Sequence, residues 1–184
     1  PLDEEVKPIV KRVVHATADF SFAENLRFAP GAVGRMREML VAGATIVTDT
    51  NMALSGINRA AAKKLKATLR CDMADASVAA EAKARGVTRA SVCVERALEE
   101  QGNVLFACGN APTALIRMLE LLDGRTPENL AVIGVPVGFV NVMEAKQMLW
   151  ESGLTCITAL GRRGGSSVAA AIVNALMYGI EGVR

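Results

Sequence analysis

One histidine, His15, is the only imidazole in this 184-residue sequence. Histidine can give and take a proton near neutral pH because its unperturbed pKa is about 6.5. It ends a helical pattern that runs from Asp3 to His15, where it lies over Lys11 and Arg12 on the polar side. The opposite stripe is apolar and consists of Val6, Ile9, Val10, Val13 and Val14. Because the helix C-terminus carries partial negative charge, the site favours an imidazolium proton donor. A satisfied core histidine and a surface residue without chemistry are the alternatives.

Four arginines form a second group with chemical potential, since they stand in or beside turn sequences: Arg59, Arg89, Arg162 and Arg163. Most surface arginines only solvate a helix. A guanidinium at a turn is well placed to bind a carboxylate through two parallel hydrogen bonds. Asp49 ends a strand pattern and is a candidate pocket residue, although helix capping or turn hydrogen bonding explains it equally well.

The elements that must position these residues follow a repeated order of apolar run, turn and helical period. Strands are predicted at residues 44–49, 65–71, 103–109, 130–136 and 154–161, with helices that include 112–122 and 166–177. This order predicts one domain over residues 1–184. Its fold class is α/β, and it has three α/β/α layers around a mainly parallel, doubly wound sheet of about five strands.

Three loops that follow predicted strands are candidates for the walls of a pocket: CGNAPTAL, GVPVGFVN and ALGRRGGSS. Glycine lets the backbone approach a ligand, Pro112 suits the first turn of a helix, and Ser166 is a possible helix cap. Each loop alone is explained equally well as a tight turn. Their common position at the carboxyl ends of parallel strands favours a pocket. None contains a dinucleotide or P-loop fingerprint.

Composition excludes several classes of protein. The chain is 51% hydrophobic and 22% charged, as expected of a soluble, compact protein. No apolar run reaches the roughly 20 residues that span a bilayer, and the first residues do not resemble a signal peptide, so a cytoplasmic protein is predicted. The four cysteines form no CxxC pair, which predicts reduced, buried thiols and no metal site. A net charge of +2 and 4% aromatic residues argue against nucleic acid binding.

Five segments in order, from about Val10 to Leu176, resemble the precorrin-8X methylmutase family, including its cobalt-precorrin-8 branch. They are RVVHATADF, TDTNMALSGINR, CGNAPTAL, GVPVGFVNVMEAK and GRRGGSSVAAAIVNAL. The resemblance implies a cytoplasmic isomerase of cobalamin biosynthesis that moves a methyl group from C-11 to C-12 of precorrin-8 or cobalt-precorrin-8, to give hydrogenobyrinic or cobyrinic acid. It also implies a homodimer with sites near the subunit interface. A non-catalytic carrier or scaffold for a tetrapyrrole is the alternative.

The resemblance assigns roles to individual positions. It implies that His15 gives acid assistance to the methyl shift. It implies that the macrocycle contacts Asp49, Met52, Gly56, Arg59, Thr88, Arg89, Asn110, Pro112, Thr113, Gly138, Phe139, Arg162, Gly164, Gly165 and Ser166. No cofactor or protein metal ligand is expected, and any cobalt belongs to the substrate. A large apolar ring fringed by carboxylates agrees with a wide aliphatic pocket that carries separate arginines.

Two features of the sequence differ from the family pattern. Family members usually have a further N-terminal segment that reaches over the site, and a trimmed N-terminus is therefore expected here. The usual Glu-Ser-Lys reads Glu144, Ala145 and Lys146, so a hydroxyl contact at Ala145 is absent. The segments HATADF and LRFAPGAV are more similar to the cobalt branch.

Overall fold

A six-stranded sheet forms the middle layer of the computed structural model, which describes residues 3–183. The strands are β1 (Leu26–Phe28), β2 (Thr45–Thr48), β3 (Thr68–Arg70), β4 (Val104–Cys108), β5 (Leu130–Gly134) and β6 (Thr155–Ala159). Their order is β1-β6-β5-β4-β2-β3. β2 to β6 pair in parallel, and β1 pairs antiparallel with β6 at the edge. The predicted α/β class and mainly parallel sheet are confirmed, whereas β1 was missed.

Helices cover both faces of the sheet, which confirms the three-layer, doubly wound architecture. They are α1 (Lys7–Thr17), α2 (Phe22–Asn25), α3 (Ala32–Val41), α4 (Asn51–Gly56), α5 (Arg59–Lys64), α6 (Ala76–Arg85), α7 (Arg89–Leu98), α8 (Pro112–Leu122), α9 (Val142–Glu151) and α10 (Ser166–Tyr178). One face packs against α1, α3, α4, α5 and α10, and the other against α7, α8 and α9. The helix α6 packs on α7.

Side chains alternate between the two faces along each central strand. In β4, Leu105 and Ala107 point toward the α10 layer, while Val104, Phe106 and Cys108 point toward the α8 layer. All five are buried because a parallel strand with helices on both faces has no solvent side. This double burial explains why the β4 and β5 sequences are apolar throughout instead of alternating.

The central helix of one layer is α10, which is buried from Val168 to Met177. Its alanines let neighbouring helices come close. A Cβ at Gly56, in the last turn of α4, would lie 2.8 Å from the Ala170 Cβ. The small residue at Gly56 is therefore required by helix packing.

Several predicted boundaries were wrong by a few residues. The first helix begins at Lys7 and not at Asp3, because residues 3–6 form a turn in which the Asp3 carbonyl accepts the amides of Val6 and Lys7. It continues two residues past His15. Ser166 is not a helix cap, since Gly165 occupies that position and the Ser166 hydroxyl lies 2.8 Å from the Thr50 hydroxyl.

The four cysteines are free, and Cys93, Cys108 and Cys156 are buried as predicted. Cys71 is only half-buried, which corrects the prediction for that residue. Burial raises the pKa of Cys93 and of Cys156 to about 11, so both thiols stay protonated at neutral pH. In the part of the chain from residue 3 to 183, no helix combines the length and apolar character needed to cross a bilayer.

Candidate functional site

The loops that follow β4, β5 and β6 meet at one edge of the sheet. The Val135 amide donates to the Cys108 carbonyl at 2.9 Å, and the Gly165 amide donates to the Val135 carbonyl at 2.8 Å. The Gly138 amide reaches the Arg162 carbonyl at 3.2 Å. The carboxyl ends of these parallel strands and the N-termini of α8, α9 and α10 therefore lie together at one surface of the protein. The order of strands and helices in the sequence predicts this arrangement.

Asp49 lies beneath this surface and is only 2% exposed. Its carboxylate accepts three backbone hydrogen bonds, from the amides of Gly109 (2.9 Å), Asn110 (2.7 Å) and Ala111 (2.8 Å). The loop after β4 is thus held by a buried anion, as expected for a carboxylate that satisfies several amides at once. Asp49 therefore binds a turn some 60 residues away in sequence, and not the backbone of its own turn, as local turn hydrogen bonding would require.

Lys146 is a buried cation beside the loop that follows β6. It belongs to α9, and its Nζ donates to the carbonyls of Gly161 (2.9 Å) and Arg163 (2.7 Å). Burial lowers the pKa of Lys146 to about 8, because the charged form loses its hydration. The loop after β6 is therefore held through its carbonyls.

The Cys108 thiol interacts with both of these charged groups. It donates to Asp49 at 3.4 Å and to the Ala111 carbonyl at 3.2 Å. Burial, and secondly the Asp49 charge, raises the pKa of Cys108 well above its ordinary value. The thiol is consequently neutral and serves as a hydrogen-bond donor instead of a nucleophile.

Glycine is required where the loops touch. A Cβ at Gly164 would collide with the Val135 carbonyl, and a Cβ at Gly109 would lie 2.7 Å from the Ser166 amide nitrogen. Gly165 adopts φ +130°, a conformation that L-residues rarely adopt. Close contact between loops accounts for the first two glycines, and backbone conformation accounts for Gly165. Gly138, in the loop after β5, also has a backbone conformation that favours glycine (φ +144°).

His15 lies in the last turn of α1 with its side chain exposed, so the core alternative is wrong. It borders an apolar groove of ≈ 520 Å³ that is lined by Val10, Lys11, Val14, Ala18, Phe20 and Ala23. A polar groove of ≈ 470 Å³ runs along the other side of the same helix, past Lys11 and Arg12. The imidazole is therefore at the junction of an apolar surface and a basic surface.

The segment after His15 is tied to the loop after β6. The Arg163 guanidinium donates to the Asp19 carboxylate and to the Ser21 hydroxyl, the latter at 2.9 Å. Hydrogen bonds from Ser21, and then from Arg163, hold the pKa of Asp19 below its ordinary value. The structure thus brings the end of α1 to the GRRGG loop, although the two are far apart in sequence.

Large apolar side chains are exposed around this edge of the sheet. Phe139 is 84% exposed, Val140 75% and Met52 73%, and Phe20 beside His15 is 81% exposed. The Arg162 guanidinium lies 5.8 Å from the Phe139 ring centroid and donates to the Phe139 carbonyl at 3.0 Å. A monomer of this size rarely leaves so much apolar surface uncovered without a ligand or partner.

Arg59 and Arg89 begin α5 and α7, and both are exposed. Within residues 3–183 neither side chain makes an ion pair or a hydrogen bond. Thr88 caps α7 by accepting the Ser91 amide at 3.1 Å. The arginines are therefore free to bind an anion, whereas the Thr88 hydroxyl is already engaged with the helix start.

The remaining predicted residues fall into two groups. Asn110, Pro112 and Thr113 lie at the start of α8, where Pro112 is in the first turn as predicted and Thr113 is exposed. Met52 and Gly56 lie on α4, joined to the GRRGG loop through the Thr50–Ser166 contact. Thr88 and Arg89, at the start of α7, make no hydrogen bond within residues 3–183 to the loops after β4, β5 and β6.

Sequence reasoning missed Lys146 as part of this site. Its position could have been found, because Val142, Ala145 and Leu149 define the apolar face of α9 and Lys146 falls on that face. A lysine at a core position of an amphipathic helix indicates a buried charge with specific partners. Among residues 3–183, no group of three or more His, Cys, Asp or Glu side chains is arranged to hold a metal ion.

Comparison with known proteins finds one family across the chain. The family model described as precorrin-8X methylmutase (CbiC) matches residues 1–179. The cobalt-precorrin-8 methylmutase of Salmonella typhimurium is 46% identical over 171 residues, covering 92% of this chain and 80% of that protein. The precorrin-8X methylmutase of Pseudomonas aeruginosa is 40% identical over 176 residues, covering 94% of this chain and 83% of that protein.

Solved structures give the same result. The precorrin-8X methylmutase of Thermus thermophilus superposes with a TM-score of 0.87 at 35% identity, covering 97% of this chain and 87% of that chain. A precorrin-8X methylmutase related protein superposes with a TM-score of 0.90 at 30% identity, covering 97% of this chain and 94% of that chain.

Proposed function

This chain belongs to the precorrin-8X methylmutase family, and from that membership we propose that it moves a methyl group from C-11 to C-12 of cobalt-precorrin-8. The enzyme is an isomerase of cobalamin biosynthesis. The product is cobyrinic acid, and the cobalt is part of the substrate. The relative from Salmonella typhimurium, named for the cobalt-containing substrate, supports that choice over the metal-free ring.

The observation that carries the proposal is the position of His15, exposed at a helix end beside an apolar groove of ≈ 520 Å³. In the reaction the bond from the methyl carbon to C-11 breaks as the bond to C-12 forms, so no atom is gained or lost. A proton or hydrogen bond given by His15 to the ring stabilises the electron density that develops on the acceptor atom of the macrocycle during the shift. The same proton returns to the imidazole afterward.

The substrate binds through two kinds of contact, one between its ring and apolar side chains and one between its carboxylates and arginines. The ring lies against exposed apolar side chains such as Phe139 and Met52, which otherwise contact water. Its peripheral carboxylates bind Arg59 and Arg89, which have no anionic partner within residues 3–183. Holding the ring in a reactive shape supplies much of the rate, and the protein contributes no cofactor or metal ligand to this proposed mechanism.

We also propose that the enzyme is a cytoplasmic homodimer with the site near the interface. Exposed Phe20, Phe139 and Val140 support this, because together with a bound ring they would be covered by a second subunit. Free cysteines are typical of a reducing compartment and support the cytoplasm.

The test is to assay one preparation with cobalt-precorrin-8 and with precorrin-8 and to follow the absorption spectrum of the chromophore. Catalysis converts many equivalents of substrate per subunit. A spectral change limited to one equivalent per subunit would contradict the isomerase and indicate a carrier. Faster turnover of the metal-free ring would overturn the choice of substrate.

A further inference from the structure

Lys146 carries a charge in a place where an apolar side chain would pack. It is 0% exposed, and α9 presents it on the same face as the buried Ala145 and Leu149. Within residues 3–183 it has no carboxylate partner. Burial of an ammonium group costs free energy unless specific acceptors replace its water. Its acceptors are two backbone carbonyls of a single loop, those of Gly161 and Arg163.

These two hydrogen bonds fix the orientation of two peptide groups. In a trans peptide the carbonyl and the following amide point in opposite directions, and no peptide within residues 3–183 is cis. Because the carbonyls of Gly161 and Arg163 point toward Lys146 Nζ, the amides of Arg162 and Gly164 point away from it. Neither of these amides donates a hydrogen bond within the described part of the chain.

Asp49 holds the loop after β4 with a charge of the opposite sign. Its carboxylate accepts hydrogen bonds from the amides of Gly109, Asn110 and Ala111, whereas the Lys146 ammonium donates hydrogen bonds to carbonyls. The two loops thus have buried anchors of opposite charge beneath the same surface. The anchor at Lys146 acts on the loop that carries Arg162, whose side chain lies over Phe139.

We propose that Lys146 is a positioning residue for the substrate loop, which it holds by the carbonyls of Gly161 and Arg163 so that Arg162 and the outward amides face the ligand. The part of this inference that concerns substrate rests on the proposed function. The part that concerns the loop does not, since it follows from the hydrogen bonds alone.

The first test measures hydrogen–deuterium exchange of the ligand-free protein for the wild type, Lys146→Met and Lys83→Met. Met keeps the apolar stem and removes the charge and the donors, and Lys83 is an exposed lysine on α6 that serves as the matched control. Peptides that cover residues 160–165 are expected to exchange about tenfold faster in Lys146→Met alone, with β4 and β5 unchanged. Unchanged exchange in that loop would overturn the proposal, and so would faster exchange throughout the protein.

The second test measures kinetics with the corrinoid substrate at a temperature where both proteins are folded. Lys146→Met is expected to raise KM about tenfold with kcat lowered less than threefold, because ground state and transition state lose the same loop contacts. Equal losses in activity and folded fraction would show a structural role only and contradict the proposal. If Lys146→Met does not fold, Lys146→Gln, which keeps an uncharged donor, gives the same readouts. A wild type without turnover would contradict the proposed function, while the exchange result would still decide the role of Lys146.

Discussion

The Arg163 guanidinium donates a hydrogen bond to the Asp19 carboxylate, and this contact joins the segment after α1 to the loop after β6. His15 lies four residues before Asp19, so the proposed proton donor and the GRRGG loop are held by the same ion pair. Ser21 strengthens the contact by accepting a second hydrogen bond from Arg163 at 2.9 Å. We therefore expect this pair to help set the position of the imidazole relative to the substrate loop.

Replacement of Asp19 by alanine is expected to lower kcat about tenfold, because small displacements of a catalytic group from its productive geometry are costly. The folded structure should remain, since the Arg163 side chain is 63% exposed and an ion pair that reaches the solvent contributes little to stability. Steady-state kinetics and circular dichroism would measure both effects. Glu128→Ala, which removes an exposed carboxylate elsewhere, is the control. Wild-type kcat in Asp19→Ala would show that the pair does not position His15.

His15→Ala is expected to lower kcat by about 10²–10⁴-fold, the usual contribution of a general acid. Its thermal unfolding should match the wild type because the side chain is exposed and no core contact is lost. Binding of the corrinoid, followed by its absorption spectrum, should persist. His15→Asn keeps a hydrogen-bond donor without a transferable proton, so its rate separates acid catalysis from positioning. Near wild-type turnover by His15→Ala would refute a chemical role for the imidazole.

Arg59→Ala and Arg89→Ala are each expected to raise KM more than they lower kcat, since a carboxylate contact is made equally in the ground and transition states. Arg59→Lys and Arg89→Lys should recover only part of the affinity, because lysine lacks the planar fork of donors. Initial-rate measurements over a range of substrate concentrations would separate the two parameters. If both alanine variants keep the wild-type KM, these arginines belong to the solvated surface.

Sedimentation equilibrium is expected to show a homodimer that does not dissociate at micromolar concentration. Obligate interfaces commonly bury on the order of 2,000 Å² or more, and exposed Phe20 and Phe139 supply apolar surface for one. Phe139→Ser should weaken the dimer, the substrate affinity, or both. A fully active monomer would contradict a site shared between subunits.

The stability of the protein should depend on pH through Lys146. Its pKa is lowered by burial from 10.5 to about 8, so between these values the unfolded chain binds more protons than the folded one. The free energy of unfolding therefore gains, from this group, up to roughly 3 kcal/mol as pH rises through that range. The Cys108 thiol faces the ammonium from β4 and stays neutral because its own pKa is raised.

Urea unfolding of the wild type and of Lys146→Met at several pH values between 7 and 10 would measure this contribution. The other titrating groups are the same in both proteins, so their effects cancel in the difference between the two free energies of unfolding. Stability of the wild type should increase relative to the variant as pH rises. Parallel curves for the two proteins would show that burial does not lower the pKa of Lys146.

The sequence by itself determined the layers and the loops, because those depend on local periodicity. Apolar β-branched runs predicted the five parallel strands, and the stripe of α1 predicted that His15 lies on the polar side. Resemblance to a family in five ordered segments identified the reaction class. The antiparallel β1 was missed because the three residues Leu26–Phe28 are too few to establish a period.

Only the tertiary structure decided what the buried charges do. Asp49 meets amides some 60 residues away in sequence, and Arg163 reaches Asp19 across 144 residues. Lys146 lies on an apolar helix face that periodicity can detect, yet its acceptors are carbonyls, which every residue possesses. Some of these contacts join residues that are distant along the chain, and others use backbone carbonyls, which are the same at every position. No local sequence pattern therefore specifies them, and the partners meet only when strands and helices pack together.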